Sequence, residues 1–118
     1  MARLDLTEAD GGRSYPAAPG DLVVVQLPET PSSGYRWHLD AVDPAVLAPS
    51  GDSFRPQREG LGGTGTRQLR FTATGAGRTG LRLVLLRGWT PGENPARRFE
   101  VTVHVTGGGG MVTGETVS

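Results

Sequence analysis

The chain contains no cysteine. This one absence excludes disulfide staples, thiolate metal sites and a cysteine nucleophile, and leaves packing as the source of stability in any redox compartment. Lysine is missing too: all twelve basic residues are arginine, and twelve acidic residues bring the formal net charge to zero. Without a basic stripe, neither nucleic acid nor an anionic membrane is an expected partner. Aromatic residues are scarce at 6%, and hydrophobic residues make up only 36% of the chain. That is little for a helical bundle, but it suits a thin sandwich whose strands each have one buried and one wet face. Helical periodicity of useful length is absent, and no apolar run approaches the length of a membrane span. The first residues, Met1-Ala-Arg-Leu-Asp-Leu-Thr-Glu, have no apolar h-region. As written, the chain is expected in the cytoplasm; a removed leader, and with it secretion, would leave the same sequence.

Chemistry is missing in the same way. His38 and His104 fall on outward strand positions with no third ligand near them in sequence, so no metal site is expected. The glycine-rich stretches do not join a strand to a helix and so cannot cradle a phosphate. No nucleophile–base pair is evident, and the scattered carboxylates read as solvated faces. The expectation is a protein without cofactor and without catalysis.

What is present is turn chemistry between alternating runs. The 118 residues allow one domain with a single two-layer core. Glycine (19) and proline (9) together reach about a quarter of the chain, yet they cluster between apolar alternations and read as turns. Leu4 and Leu6 alternate in a first strand, which Gly11-Gly12 ends, and Tyr15–Gly20 reads as a proline-rich crossing. Asp21–Leu27 is a strand with Val23, Val25 and Leu27 inward. Tyr35–Leu39 is another, with Tyr35, Trp37 and Leu39 on one side. Asp43–Leu47 reads as a helical turn or an irregular crossing, with Asp43 before Pro44 as a cap, and Asp52–Arg55 as a short strand. Arg67–Thr74 carries Leu69, Phe71 and Ala73 inward. After the Gly75-Ala76-Gly77 turn, Thr79–Leu86 carries Leu81, Leu83 and Leu85. Arg97–Val105 carries Phe99, Val101, Val103 and Val105. About seven short strands at this spacing predict an all-β, immunoglobulin-like β-sandwich spanning residues 1–106. The polar, glycine-rich remainder, 107–118, has nothing to bury and is expected to be disordered.

Three segments depart from the core pattern: Thr30-Pro31-Ser32-Ser33-Gly34-Tyr35, Gly60-Leu61-Gly62-Gly63 and Arg87-Gly88-Trp89. Two strands separate each from the next, so all three project from one end of the sandwich, as binding loops do in antibody variable domains. Pro31 and Gly34 stiffen the first. The second offers bare backbone around Leu61. The third offers Trp89 and Arg87, residue types typical of interface hot spots. Taken singly, each has a plainer reading. Pro31-Ser32-Ser33-Gly34 is a common connector, Gly62-Gly63 a flexible link, and Trp89 either a contact or a lid folded back on the core. Trp37 and Tyr35, in strand register, read as structural.

Together, and in this order, the segments resemble the chagasin family of cysteine-protease inhibitors, whose pattern is Asn-Pro-Thr-Thr-Gly-Tyr-x-Trp, then Gly-x-Gly-Gly, then Arg-Pro-Trp. The resemblance covers about Ala17 to Val105. It implies a monomeric, reversible inhibitor whose partner is a papain-like cysteine protease. The first loop would lie over the catalytic cysteine with Ser32 nearest, the second along the cleft, and Arg87 and Trp89 on the primed side. Thr30 stands where the family has asparagine and Gly88 where it has proline; both changes imply looser loops and weaker affinity. The competing reading is a non-inhibitory adhesion or scaffolding module that uses the same rim.

Overall fold

The computed structural model describes residues 2–57, 64–88 and 94–107. Among them are eight strands: β1 (Arg3–Thr7), β2 (Ser14–Ala17), β3 (Leu22–Glu29), β4 (Arg36–Ala41), β5 (Leu47–Pro56), β6 (Gly65–Ala73), β7 (Gly77–Leu86) and β8 (Arg97–Val105). They form two four-stranded sheets, one in the order β1-β3-β6-β5 and the other in the order β2-β8-β7-β4. The β1–β3 and β2–β8 pairs are parallel, and the remaining pairs are antiparallel. This is an all-β sandwich of immunoglobulin-like architecture.

Alternation builds the core. Val23, Val25 and Leu27 of β3 pack with Leu69, Phe71 and Ala73 of β6 on the inner face of the first sheet. Leu81 and Leu83 of β7, Phe99, Val101, Val103 and Val105 of β8, and Trp37 of β4 face them from the second. All are buried. The predicted inward sets of β3, β6 and β8 are therefore as the period-two pattern placed them.

Four readings need correction. The crossing expected at Tyr15–Gly20 contains β2, which follows the edge of β8 from Ser14↔Thr102 to Ala17↔Val105; its Pro16 is tolerated because an edge strand can spare an N–H. This is why there are eight strands and not about seven. β5 runs ten residues where only Asp52–Arg55 was expected, because a register shift between Pro49 and Gly51 keeps it paired with β6 in spite of its proline and glycine. β3 continues through Pro28 to Glu29, two residues past its expected end at Leu27. Leu39 shares a side with Trp37 but is 39% exposed, on β4 at the edge of its sheet. The Asp43–Leu47 segment is a single turn, closed by the Asp43 carbonyl accepting from the Val46 and Leu47 amides. Of the tail predicted at 107–118, residues 108–118 lie outside the described residues.

Candidate functional site

The strand register fixes where the loops go. Glu29, at the end of β3, pairs with Gly65 at the start of β6, and Gly65 also pairs with Pro56 at the end of β5. In the other sheet, Arg36 at the start of β4 pairs with Leu86 at the end of β7, and Arg97 at the start of β8 pairs with Leu85. The β3–β4, β5–β6 and β7–β8 connections therefore leave the sandwich at the same end, as the spacing of the three segments predicts.

The first loop is a closed local structure. Thr30 is extended, and Pro31–Ser33 form one turn of 3-10 helix with the proline at its start, where a missing N–H costs nothing. The Ser33 amide donates to the Thr30 carbonyl (2.9 Å) and the Gly34 amide to the Pro31 carbonyl (3.0 Å). Gly34 takes φ 85° and ψ −9°, the left-handed region open to glycine and costly for other residues. The Ser33 hydroxyl donates to the Thr30 carbonyl at 2.6 Å and accepts from the Tyr35 amide at 3.2 Å. Ser33 is thus the internal brace, and Ser32 is the exposed tip. Tyr35 is half-buried at the start of the return.

Contacts tie this loop to its neighbours. The Thr30 and Thr64 hydroxyls lie 2.9 Å apart, linking the first loop to the second. Thr30 makes no side-chain cap of its own turn; its hydroxyl serves the adjacent loop. The base of the second loop is closed by the Gln57 amide donating to the Thr64 carbonyl (3.3 Å). On the other flank, the Arg87 side chain lies along Gly34, its Cγ 3.7 Å from where a Cβ on that glycine would stand. The Ala96 amide donates to the Leu85 carbonyl (2.9 Å), closing the far stem of the third loop. The structure thus brings together Thr30, Pro31, Ser32, Ser33, Gly34, Tyr35, Arg87 and Gly88. Gly60, Leu61, Gly62, Gly63 and Trp89 lie outside the described residues.

Beneath the loops is a polar network that the sequence reading passed over. The Glu29 side chain is 1% exposed and that of Arg67 is 12% exposed, with 2.7 Å between Nη2 and Oε2. Arg67 Nε also donates to both carboxylate oxygens (3.3 and 3.2 Å), and Nη1 reaches Asp52 at 3.0 Å. The guanidinium stands 5.4 Å from the centre of the Phe54 ring, in cation–π range. The hydrogen bonds to Glu29 are the main reason the Arg67 guanidinium holds its proton more tightly than usual. Glu29 Oε1 accepts from the Trp37 amide (2.9 Å), and the Trp37 indole N–H donates to the Pro28 carbonyl (2.9 Å). Glu29, Pro31, Gly34, Arg36, Phe54 and Arg67 line an open groove of about 500 Å³ beside the first loop. A register argument could have found the pair. Glu29 extends the inward series Val23, Val25, Leu27, and Arg67 heads the inward series Leu69, Phe71, Ala73, at the same end of paired strands.

Among the described residues, no group of histidine and acidic side chains could hold a metal ion. What the end of the sandwich offers is shape: a stiff tip, two flanking loops and exposed arginine.

Comparison with known proteins bears on this geometry. The chain is 29% identical over 101 residues to chagasin of Trypanosoma cruzi, covering 81% of this chain and 92% of chagasin. It is 27% identical over 100 residues to amoebiasin-2 of Entamoeba histolytica, covering 83% and 81% of the two chains. The crystal structure of a cysteine protease inhibitor from Entamoeba histolytica superposes with a TM-score of 0.80 at 25% identity, covering 89% of this chain and 96% of that one. Residues 17–103 match the model of the chagasin family of peptidase inhibitors, the family designated I42, and the chain belongs to that family of non-catalytic cysteine-protease inhibitors.

Proposed function

We propose that the three loops act as one wedge that fills the active-site cleft of a papain-like cysteine protease. The wedge comprises Thr30–Tyr35, Gly60–Gly63 and Arg87–Trp89. The observation that carries this reading is the convergence of the three stems at one end, with Thr30 bonded to Thr64 and Arg87 laid along Gly34.

The first loop is suited to occupying a cleft without being cut. A thiolate attacks a carbonyl carbon it can approach, in a backbone that can present it. In this tip the Thr30 carbonyl already accepts from the Ser33 amide and hydroxyl, and the Pro31 carbonyl accepts from Gly34. Both are turned into the 3-10 turn and away from an incoming nucleophile. Ser32, exposed at the apex, is left to offer its hydroxyl to the catalytic pair. Pre-ordering also removes most of the ordering cost that a floppy peptide meets on binding. Arg87 and Trp89 supply the large contact area; truncating such a tryptophan at an interface centre typically costs about 2 kcal/mol or more.

The test is titration of a papain-like enzyme with the folded domain. The expected result is reversible inhibition, with intact inhibitor recovered and Trp89→Ala weakened by about thirtyfold. A folded domain that leaves the enzyme fully active at micromolar concentration refutes the proposal. If a pull-down then recovers a partner that is not a protease, the scaffolding reading takes its place.

A further inference from the structure

We propose that Glu29 and Arg67 are positioning residues that fix the first loop over the second, a role that rests on the wedge reading above. The second and third loops each close an antiparallel hairpin within a single sheet, β5–β6 in the first and β7–β8 in the second, so a hydrogen-bond ladder registers their stems. The first loop passes from one sheet to the other, from β3 to β4. No ladder can align its stems. Side-chain bonds do so instead: the Glu29 carboxylate to the Trp37 amide, and the Trp37 indole to the Pro28 carbonyl.

A carboxylate can hold that amide only if its own orientation is held. Arg67 does this with Nε and Nη2 on the carboxylate, while Nη1 reaches Asp52 and the guanidinium faces Phe54. All four strands that carry the first two loops therefore meet at one ion pair: β3 at Glu29, β4 at Trp37, β5 at Asp52 and Phe54, and β6 at Arg67. The pair lies on the inward register, at the loop end of the apolar core. Burying two charges there contributes little to net stability, because desolvation offsets most of their attraction, and well-packed apolar side chains would serve the fold about as well. Apolar side chains have no directional bond with which to hold an amide, and direction is what the loop angle needs.

The experiment compares wild type with Glu29→Leu/Arg67→Met and with Glu29→Gln. Each is measured three ways: thermal unfolding, amide hydrogen exchange, and the inhibition constant against a papain-like enzyme together with the rate at which the inhibitor is cut. For the double variant the expected result is a melting temperature near wild type and retained protection of Val25, Leu83 and Val103. Protection of the Trp37 amide is lost, and inhibition weakens about tenfold, as it must when the binding-competent loop angle is populated about a tenth of the time. Slow cleavage in the first loop accompanies this. Glu29→Gln keeps an acceptor for Trp37, so its loop protection and inhibition should fall between the two, while its melting temperature drops below both because Arg67 loses its buried charged partner. Should the double variant not fold, Glu29→Gln decides the matter by the same exchange pattern. Native loop protection and native inhibition in a folded variant overturn the proposal. Hydrogen exchange reads loop order without any protease, so a wild type that fails to inhibit counts against the wedge and leaves the positioning claim to be judged on exchange.

Discussion

Gly34→Ala separates conformational strain from every other effect at the tip of the first loop. Gly34 sits at φ 85°, where an L-residue costs roughly 1–2 kcal/mol. Its missing Cβ would meet only the Arg87 side chain, at 3.7 Å or more, an ordinary contact, so no steric term adds to this. The cost can emerge in two places. If the surroundings force the alanine into the left-handed region, the folded state loses the full amount, and the melting temperature falls by about 4 °C for each kcal/mol at this chain length. If the loop relaxes, stability is kept, the bound shape becomes a minor conformer, and inhibition weakens by about 5- to 30-fold. The bonds holding this residue are local, from the Gly34 amide to Pro31 and from the Tyr35 amide to Ser33. Relaxation is therefore the expected outcome, with a melting temperature within about 2 °C of wild type. Asparagine tolerates the left-handed region, so Gly34→Asn should recover most of the lost inhibition. The assay pairs inhibition constants with thermal unfolding for all three proteins. Equal losses for alanine and asparagine, or no loss in either measurement for alanine, would refute the argument that this backbone conformation sets the tip.

Thr30→Val and Thr64→Val each delete one side of the hydroxyl pair; each should weaken inhibition by about 0.5–1 kcal/mol, and the double variant by no more than either alone, which a double-mutant cycle on inhibition constants checks. Trp37→Phe removes the indole donor to Pro28 and leaves space in the core, so unfolding in denaturant should show a loss of about 2–3 kcal/mol. At the opposite end of the sandwich, Asp21 accepts from the Ala18 and Ala2 amides, at 2.9 Å each. These bonds hold its carboxyl below the ordinary carboxylate range, the Ala18 amide acting most strongly. A carboxyl depressed in the folded state adds stability that is present above its unfolded pKa and fades as pH falls through the folded one. Asp21→Asn should therefore melt below wild type at pH 7, with the gap closing as pH drops below about 4; a gap that stays constant would count against those bonds.

Period-two alternation made most of the fold legible. Val23-Val25-Leu27, Leu69-Phe71-Ala73 and the Phe99–Val105 series needed no tertiary information to be placed inward, and once the strands were counted the common end of the three loops followed. Where pairing overrode local propensity, the reading failed. Pro16 and Pro49 argue against strand wherever they stand, yet β2 and β5 include them because an edge position and a bulge absorb the missing donor. Glu29 and Arg67 escaped notice for a different reason. Charge near a turn suggests solvent, and only the pairing of β3 with β6 reveals that both lie on the inward face at the same end. The threonine pair was hidden by distance: nothing local to Thr30 or Thr64, 34 positions apart, says that their hydroxyls meet.

The topology also explains why the first loop is braced as it is. A hairpin tip can be built from glycine, because the ladder below it sets where the tip begins; Gly65 shows how close that packing is, since a Cβ there would strike the Arg55 carbonyl and stand 2.5 Å from the Phe54 ring. The crossover between sheets has no such ladder. It carries the proline, the left-handed glycine, the serine brace and the buried ion pair. By the same reasoning the two departures from the family pattern are unequal. Gly88 lies on the third loop, whose stems are registered by the pairing of Leu85 with Arg97. Thr30 lies on the crossover, and it is there that a compensating bond, to Thr64, is found.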